Sequence, residues 1–373
     1  MKYHKSSKGF SLVELLATVA IMAVVLGAAA AVLKKAADTT TITFQRAEMQ
    51  ANARVAVNSI ARDLSQAGAG GAVGFPYGGV TLPVGAIVNF ARDPAGVDYL
   101  NNNTFATGVM TAVTPAYNDG PTVDGVTTDG ITLVYIDQAV LNAPCSNWAT
   151  TPVNSVTPSG SQTTVDAAVL CPPINDPVYG LNIGDLIIVS NINGAALGQI
   201  TNLPGTDKID FANSDPLGVN KPSAAFGNIA AILAGNPPTF ISRIFVISYF
   251  IQALDINNNP LPIAGVGAVT PGAVDYRLMR MVDGQLPVPV AEHIINLKFS
   301  YDMMSPGGTE TSNNAQAVVG GVPVYANIRN VYVSVTSRSP RVIPPSAGGN
   351  GYTYSTMYTN ISPRNLSFRN RYQ

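Results

Sequence analysis

The chain has 373 residues, 12% of them charged and 46% hydrophobic, with 34 glycines, 27 prolines and a formal net charge of −1. That length buries a substantial core and by itself permits one large or two ordinary domains. The Gly and Pro content points away from a helical bundle and toward a loop-rich β domain.

The first nine residues hold Lys2, Lys5 and Lys8 and end at Gly9. From Phe10 to Leu33 the sequence is apolar, and Glu14 is its only ionisable residue. As a helix rising ~1.5 Å per residue, this run spans roughly 36 Å, more than the ~30 Å hydrocarbon core of a bilayer. A secretory signal carries its small-residue cleavage site after the apolar region; here Gly9 precedes it, so a cut there leaves the apolar helix on the chain. A carboxylate in such a run costs a few kcal/mol at the bilayer centre, so Glu14 either snorkels to the headgroups or has a partner. Cleavage before Phe10 creates one candidate, an α-amine that is protonated at neutral pH.

Lys34 and Lys35 mark the far membrane edge. The β-branched cluster Thr39–Thr43 predicts local loosening of the helix. Beyond it, Ile42, Met49, Ala53, Val57, Ile60, Leu64 and Ala67 recur at helical spacing and form one stripe, with Glu48, Arg54, Arg62 and Asp63 mostly off it. Gly68 ends the pattern. One helix is therefore predicted over 10–67, with its membrane or assembly segment at 10–33 and an apolar stripe in its second half for its own β domain.

The remainder, 68–373, predicts strands at Ile131–Ile136, Asp185–Ser190, Arg243–Gln252, Asp275–Met281, His293–Tyr301 and Ile328–Thr336, each flanked by turn residues. Two spacers near 139–179 and 202–239 are rich in Pro, Asn, Ser and Gly and are expected to be loop insertions on a sheet.

The basic leader, Gly9 and Phe10-Ser11-Leu12-Val13-Glu14-Leu15 together resemble the type IV prepilins. That resemblance implies an α+β, pilin-like fold: a long N-terminal helix packed on a β-rich, loop-rich head. It implies that a prepilin peptidase cuts after Gly9 and methylates Phe10, and that Glu14 pairs with a neighbour's amine to set axial register in a filament. It also implies a cytoplasmic N-terminus in a bacterial inner membrane before assembly, then a pilus or cell-surface location with the head periplasmic or extracellular. The implied partners are other minor and major pilins and an inner-membrane assembly platform with a separate ATPase.

Within the family, Ala53-Arg54-Val55-Ala56, Arg62-Asp63-Leu64-Ser65-Gln66-Ala67-Gly68, Asp129-Gly130-Ile131-Thr132-Leu133 and Gly184-Asp185-Leu186-Ile187-Ile188 are similar to the PilW-like minor pilins. So are Arg329-Asn330-Val331-Tyr332-Val333-Ser334-Val335, Arg338-Ser339-Pro340 and the ending Asn365-Leu366-Ser367-Phe368-Arg369-Asn370-Arg371. This implies a structural minor pilin near the filament tip that helps to start assembly. A pseudopilin of type II secretion, similar to the GspJ group, and a tip module that captures DNA or adheres to a surface are the alternatives.

Outside the cytoplasm, the two cysteines, Cys145 and Cys171, are expected to form one disulfide, worth roughly 3.5 kcal/mol on the chain-entropy model. No His lies near them to favour a metal site. Catalysis is not expected. No P-loop occurs, Gly265-Val266-Gly267 lacks the third glycine of a dinucleotide fingerprint, and His293 at a strand start suits a structural role.

From Asp93 to Asp207 there are ten acids and no Lys or Arg, which predicts a solvated surface. Within that stretch Asp119-Gly120, Asp124-Gly125 and Asp129-Gly130 recur every five residues, so Asp119, Asp124 and Asp129 are weak candidate calcium ligands as well as ordinary turn residues. Asp255, Asn257 and Asn259 mimic the opening of an EF-hand loop, but Pro260 and Val266 stand where Gly and Glu are required, so a turn is expected. No acid follows Glu310, while Arg329, Arg338, Arg341, Arg364, Arg369 and Arg371 interleave with tyrosines. Arg364, Arg369 and Arg371 are weak candidates for nucleic-acid contact, against a bland reading in which arginines pair with acidic neighbours.

Overall fold

The computed structural model describes residues 11–69, 80–81, 90–92, 96–100, 109–137, 153–159, 162–167, 174–177, 180–205, 208–220, 229, 232, 240–261, 269–304, 310–319, 322–343 and 351–363. A single helix, α1, runs Leu12–Gln66. It is unbroken through Thr39–Thr43, contrary to the loosening predicted there. The hydroxyls of Thr39, Thr40, Thr41 and Thr43 donate to the carbonyls of Lys35, Ala36, Ala37 and Thr39 at 2.8–3.0 Å, so the polar atoms turn back onto the helix rather than competing with it. Gly68 adopts φ +71° and its N–H donates to Val134 O at 2.8 Å, which stops the helix with a left-handed residue at its end.

The chain divides into two compact units, Met1–Gln50 with Arg338–Tyr354, and Ala51–Ser337 with Ser355–Gln373. In the first, Gln45 and Met49 of α1 are buried. A turn-back at Ser339 is held by its N–H to Thr353 O at 2.8 Å, and the Arg338 guanidinium lies 4.3 Å from the Tyr352 ring centroid.

The second unit is strand-rich. In chain order its principal strands are β1 (Val113–Ala116), β2 (Gly130–Ile136), β3 (Val153–Ser159), β4 (Gln162–Ala167), β5 (Leu186–Asn191), β6 (Gly194–Gln199) and β7 (Lys208–Ala212). They continue with β8 (Phe240–Leu254), β9 (Asp275–Val282), β10 (Val288–Glu292), β11 (Ile294–Met304), β12 (Glu310–Asn314), β13 (Ile328–Arg338) and β14 (Tyr354–Ile361).

The spine of the largest sheet is β8, 15 residues of largely β-branched and aromatic sequence. Its first part pairs with β5, its middle with β2, and its C-terminal part with β9, all antiparallel. β6 extends that sheet beyond β5, β10 beyond β9, and β1 beyond β2. A second sheet has the order β12-β11-β13-β14. The two predicted insertions are not structureless: β3, β4 and β7 come from them and form a three-stranded antiparallel sheet. The β-branched residues Val153, Val156, Thr157, Thr163, Thr164 and Val165, scattered among Ser, Pro and Gly, suit the strands that composition alone obscured.

The predicted helix stripe becomes the core. Val57, Ile60, Leu64 and Ala67 pack in one buried cluster with Leu133, Ile247 and Ile251 of the large sheet and Leu297, Phe299, Val331 and Val333 of the second. A separate cluster on Ile187, Val189, Ala196 and Ile241 is completed by Ile209, Phe211, Ile229 and Ile232 from the second insertion. That insertion thus supplies buried side chains to a core of its own.

Candidate functional site

The amino-terminal helix is the first feature to weigh. From Leu12 to Leu33 its large apolar side chains are 58–77% exposed, and the helix contains a stretch long and apolar enough to cross a membrane. Such a surface in water is unfavourable over its whole length, so it needs lipid or other helices around it.

Its start is built by Ser11 and Glu14. The Val13 N–H donates to Ser11 Oγ at 3.3 Å and the Ser11 N–H donates to Glu14 Oε2 at 3.2 Å, a reciprocal capping box. In the sequence Glu14 stands out as a charge in an apolar run; Ser-x-x-Glu ahead of an apolar stretch is the signal for the cap. Gly9 and Phe10, the expected processing site, lie outside the described residues.

Where α1 enters the β domain, polar side chains bind it to the large sheet. Asp63, buried at 4% exposure, accepts hydrogen bonds through Oδ2 from Tyr249 OH and from Arg280 Nε, both at 2.7 Å. Ser59 Oγ lies 2.8 Å from the same Tyr249 hydroxyl. Burial pushes the Tyr249 phenol above its ordinary range, and the Asp63 charge adds to the shift. Burial pulls the Arg280 guanidinium down, but its bond to Asp63 and the charge there outweigh it, so it rises. Tyr135 nearby is pushed up to about 12, first by burial and then by Asp63. Asp63 was predicted to lie mostly off the buried stripe. The structure corrects this, because a carboxylate on the stripe's border can be buried once two donors meet it.

The acid-rich stretch is corrected in the same sense. Asp129 and Asp137 are buried, and the stretch takes its cations from the second half of the chain. Lys298 Nζ lies 2.9 Å from Asp129 Oδ1, and Arg243 bonds Asp137 and reaches Asp185 Oδ2 at 3.3 Å.

The three candidate calcium ligands are not alike. Asp119 is buried; Asp124 is exposed, with φ +50° beside Gly125 at +80°, in the two-residue turn joining Thr122–Val123 to Val126–Thr127. Asp129 is committed to Lys298, Asn118 N and Phe299 N. Among the described residues no group of three or more His, Cys, Asp or Glu could hold a metal ion.

Asp255 accepts from the N–H groups of Asn257 and Asn259, both at 2.8 Å, in the expected turn. His293 sits between β10 and β11 at φ +57°, its Nδ1 2.5 Å from Asp275 Oδ2. Of the six arginines near the end, Arg329 and Arg338 are buried, Arg329 donating to the carbonyls of Ala326 and Ile328. Arg364, Arg369, Arg371, Cys145 and Cys171 lie outside the described residues.

Residues 4–30 match the family model of the prokaryotic N-terminal methylation motif. The chain carries a prepilin-type amino terminus. The motif supports a type IV pilin or pseudopilin, processed by prepilin peptidase, anchored in the membrane by its apolar helix and assembled into a pilus or secretion system. The match covers this segment alone; no curated protein matches the chain, and no solved structure does.

Proposed function

We propose that the protein is a structural minor pilin of a type IV pilus, placed near the tip, where it helps to start assembly. One observation carries the reading: a single helix, Leu12–Gln66, begins as an exposed apolar rod with the methylation motif and ends as a core element of a β-rich head. The rod packs among other rods, and the head is carried outward. So bulky a head, with sheet-bearing insertions, suits a low-copy position better than a densely packed shaft.

Glu14 has two roles in this reading. In the free chain it caps the helix; during assembly its charge meets the α-amine of a neighbouring, processed chain in a site where an unpaired charge is expensive. Catalysis forms no part of the function, and the energy for assembly comes from a separate ATPase.

Deleting the gene in a retraction-deficient strain should lower surface filaments severalfold, and the chain should be recovered in sheared filaments well below the major pilin. Normal filament number, with the chain confined to a secretion complex, would instead support a type II pseudopilin.

A further inference from the structure

The second sheet, β12-β11-β13-β14, has one face in the core and one face open. Alternation sends Leu297, Phe299, Val331, Val333 and Met357 inward. It leaves Lys298, Ser300 and Asp302 facing out, in register with Ser334, Tyr332 and Asn330. From β14, Thr356, Tyr358 and Asn360 join them. This outer face is built almost wholly of hydroxyls, amides and tyrosine rings.

Part of the face is concave. A cavity of about 630 Å³ opens over it, lined among others by Tyr117, Lys298, Ser334, Tyr332, Tyr358 and Asn360. That volume is in the range of small-molecule sites. Its walls are held in place. Lys298 Nζ donates to Asn118 Oδ1 at 2.6 Å and Asp129 Oδ1 at 2.9 Å, and lies 5.4 Å from the Tyr117 ring centroid. The Tyr332 hydroxyl donates to Asp302 Oδ2 at 2.8 Å. Tyr358, by contrast, is 77% exposed, a large aromatic ring presented to solvent on a sheet face.

The chemistry narrows the ligand. For an anion, the one cation among the described lining residues, Lys298, is already neutralised by Asp129. For a cation, the one carboxylate among the described lining residues, Asp129, already accepts from Lys298, Asn118 N and Phe299 N. A wholly apolar ligand would forgo the hydrogen bonds that the hydroxyls and amides of the lining offer. What remains is a neutral molecule with an apolar ring face and a rim of hydroxyls. We propose that this cavity binds a sugar unit of a neutral glycan, its ring stacked on Tyr358 or Tyr117 and its hydroxyls bonded to Ser334, Asn360 and their neighbours. Tyr, Ser and Asn are the residues that adaptable recognition surfaces use, because they combine rigid contact area with hydrogen bonding. This site is independent of the assembly reading, and its failure would leave processing at Gly9 untouched.

The test is saturation-transfer NMR on the full chain in detergent, with methyl glycosides of glucose, galactose, mannose, N-acetylglucosamine and N-acetylgalactosamine as probes. The expected result is transfer to at least one neutral glycoside, with affinity falling about tenfold or more in Tyr358→Ala and no change in melting temperature. Should Tyr358→Ala lower the melting temperature, Asn360→Ala carries the same expectation. Transfer to none of the five, or equal binding by both variants, would overturn the proposal.

Discussion

Asp63→Ala removes the carboxylate that joins the helix to the sheet, and the local geometry sets its size. Two charge-assisted hydrogen bonds are lost, each worth ~1.5–3 kcal/mol, against relief of the desolvation of a side chain only 6% exposed. The partners are not stranded: Tyr249 keeps Ser59 at 2.8 Å, and the Arg280 side chain, 31% exposed, reaches water. The expected destabilisation is therefore about 3 kcal/mol. Tyr249→Phe, which removes the hydroxyl's bonds to both Asp63 and Ser59, should lose about 2 kcal/mol. Arg280→Ala should lose at least as much as Asp63→Ala, because it leaves the buried carboxylate without its cation. The double variant Asp63→Ala/Arg280→Ala should lose less than the sum by about 1.5 kcal/mol or more, since the two share one interaction. Urea unfolding of the detergent-solubilised chain, followed by far-UV circular dichroism at constant m, measures all four. A loss below about 1 kcal/mol for Asp63→Ala, or strict additivity of the pair, would refute the reasoning.

Two further predictions follow from single carboxylates. Glu14→Gln keeps an oxygen for the Ser11 N–H and removes the charge, whereas Glu14→Ala removes both; both should insert in the membrane, and both should be depleted from sheared filaments. If Glu14→Gln is incorporated like the parent chain, the cap and not the charge is the function of this residue. Asp283 is buried, accepts the Val246 N–H at 2.7 Å, and is pushed up to about 7, chiefly by burial. Because its ordinary value is 3.8, the native state holds a proton that the unfolded chain has released between about pH 4 and 7. Stability should therefore fall by a few kcal/mol as pH rises through that window, and Asp283→Asn, which tolerates the φ of +50°, should flatten the fall in urea titrations at pH 5 and pH 8.

The helix was legible because its signals are local: a long apolar run, then a stripe at helical spacing, then Gly68. The strands predicted at 131–136, 185–190, 243–252, 275–281 and 328–336 all appear, within one to three residues at either end, because β-branched runs between turn residues need no tertiary knowledge. His293 falls just outside its predicted strand at a positive φ, a backbone choice that sequence alone did not disclose. Strands β3, β4 and β7 were missed because they are short and set few β-branched or aromatic residues among polar ones, so they resemble loops until a partner strand pairs with them.

The acids were misjudged for a related reason. Asp63, Asp129 and Asp137 have their cations at Arg280, Lys298 and Arg243, more than a hundred residues away in sequence. No window reading brings such pairs together. Glu14 was found by its conspicuous charge, but its capping role depended on Ser11, an ordinary residue three positions earlier.

The central claim is that trimming at Gly9 exposes a helix that docks among similar helices and carries the β-rich head outward. Mass spectrometry of the N-terminal peptide, recovered from native membranes and sheared filaments, tests it most directly. The account predicts a chain that begins with N-methylated Phe10 in both fractions. A chain that retains Met1, unmethylated and freely soluble, would contradict it.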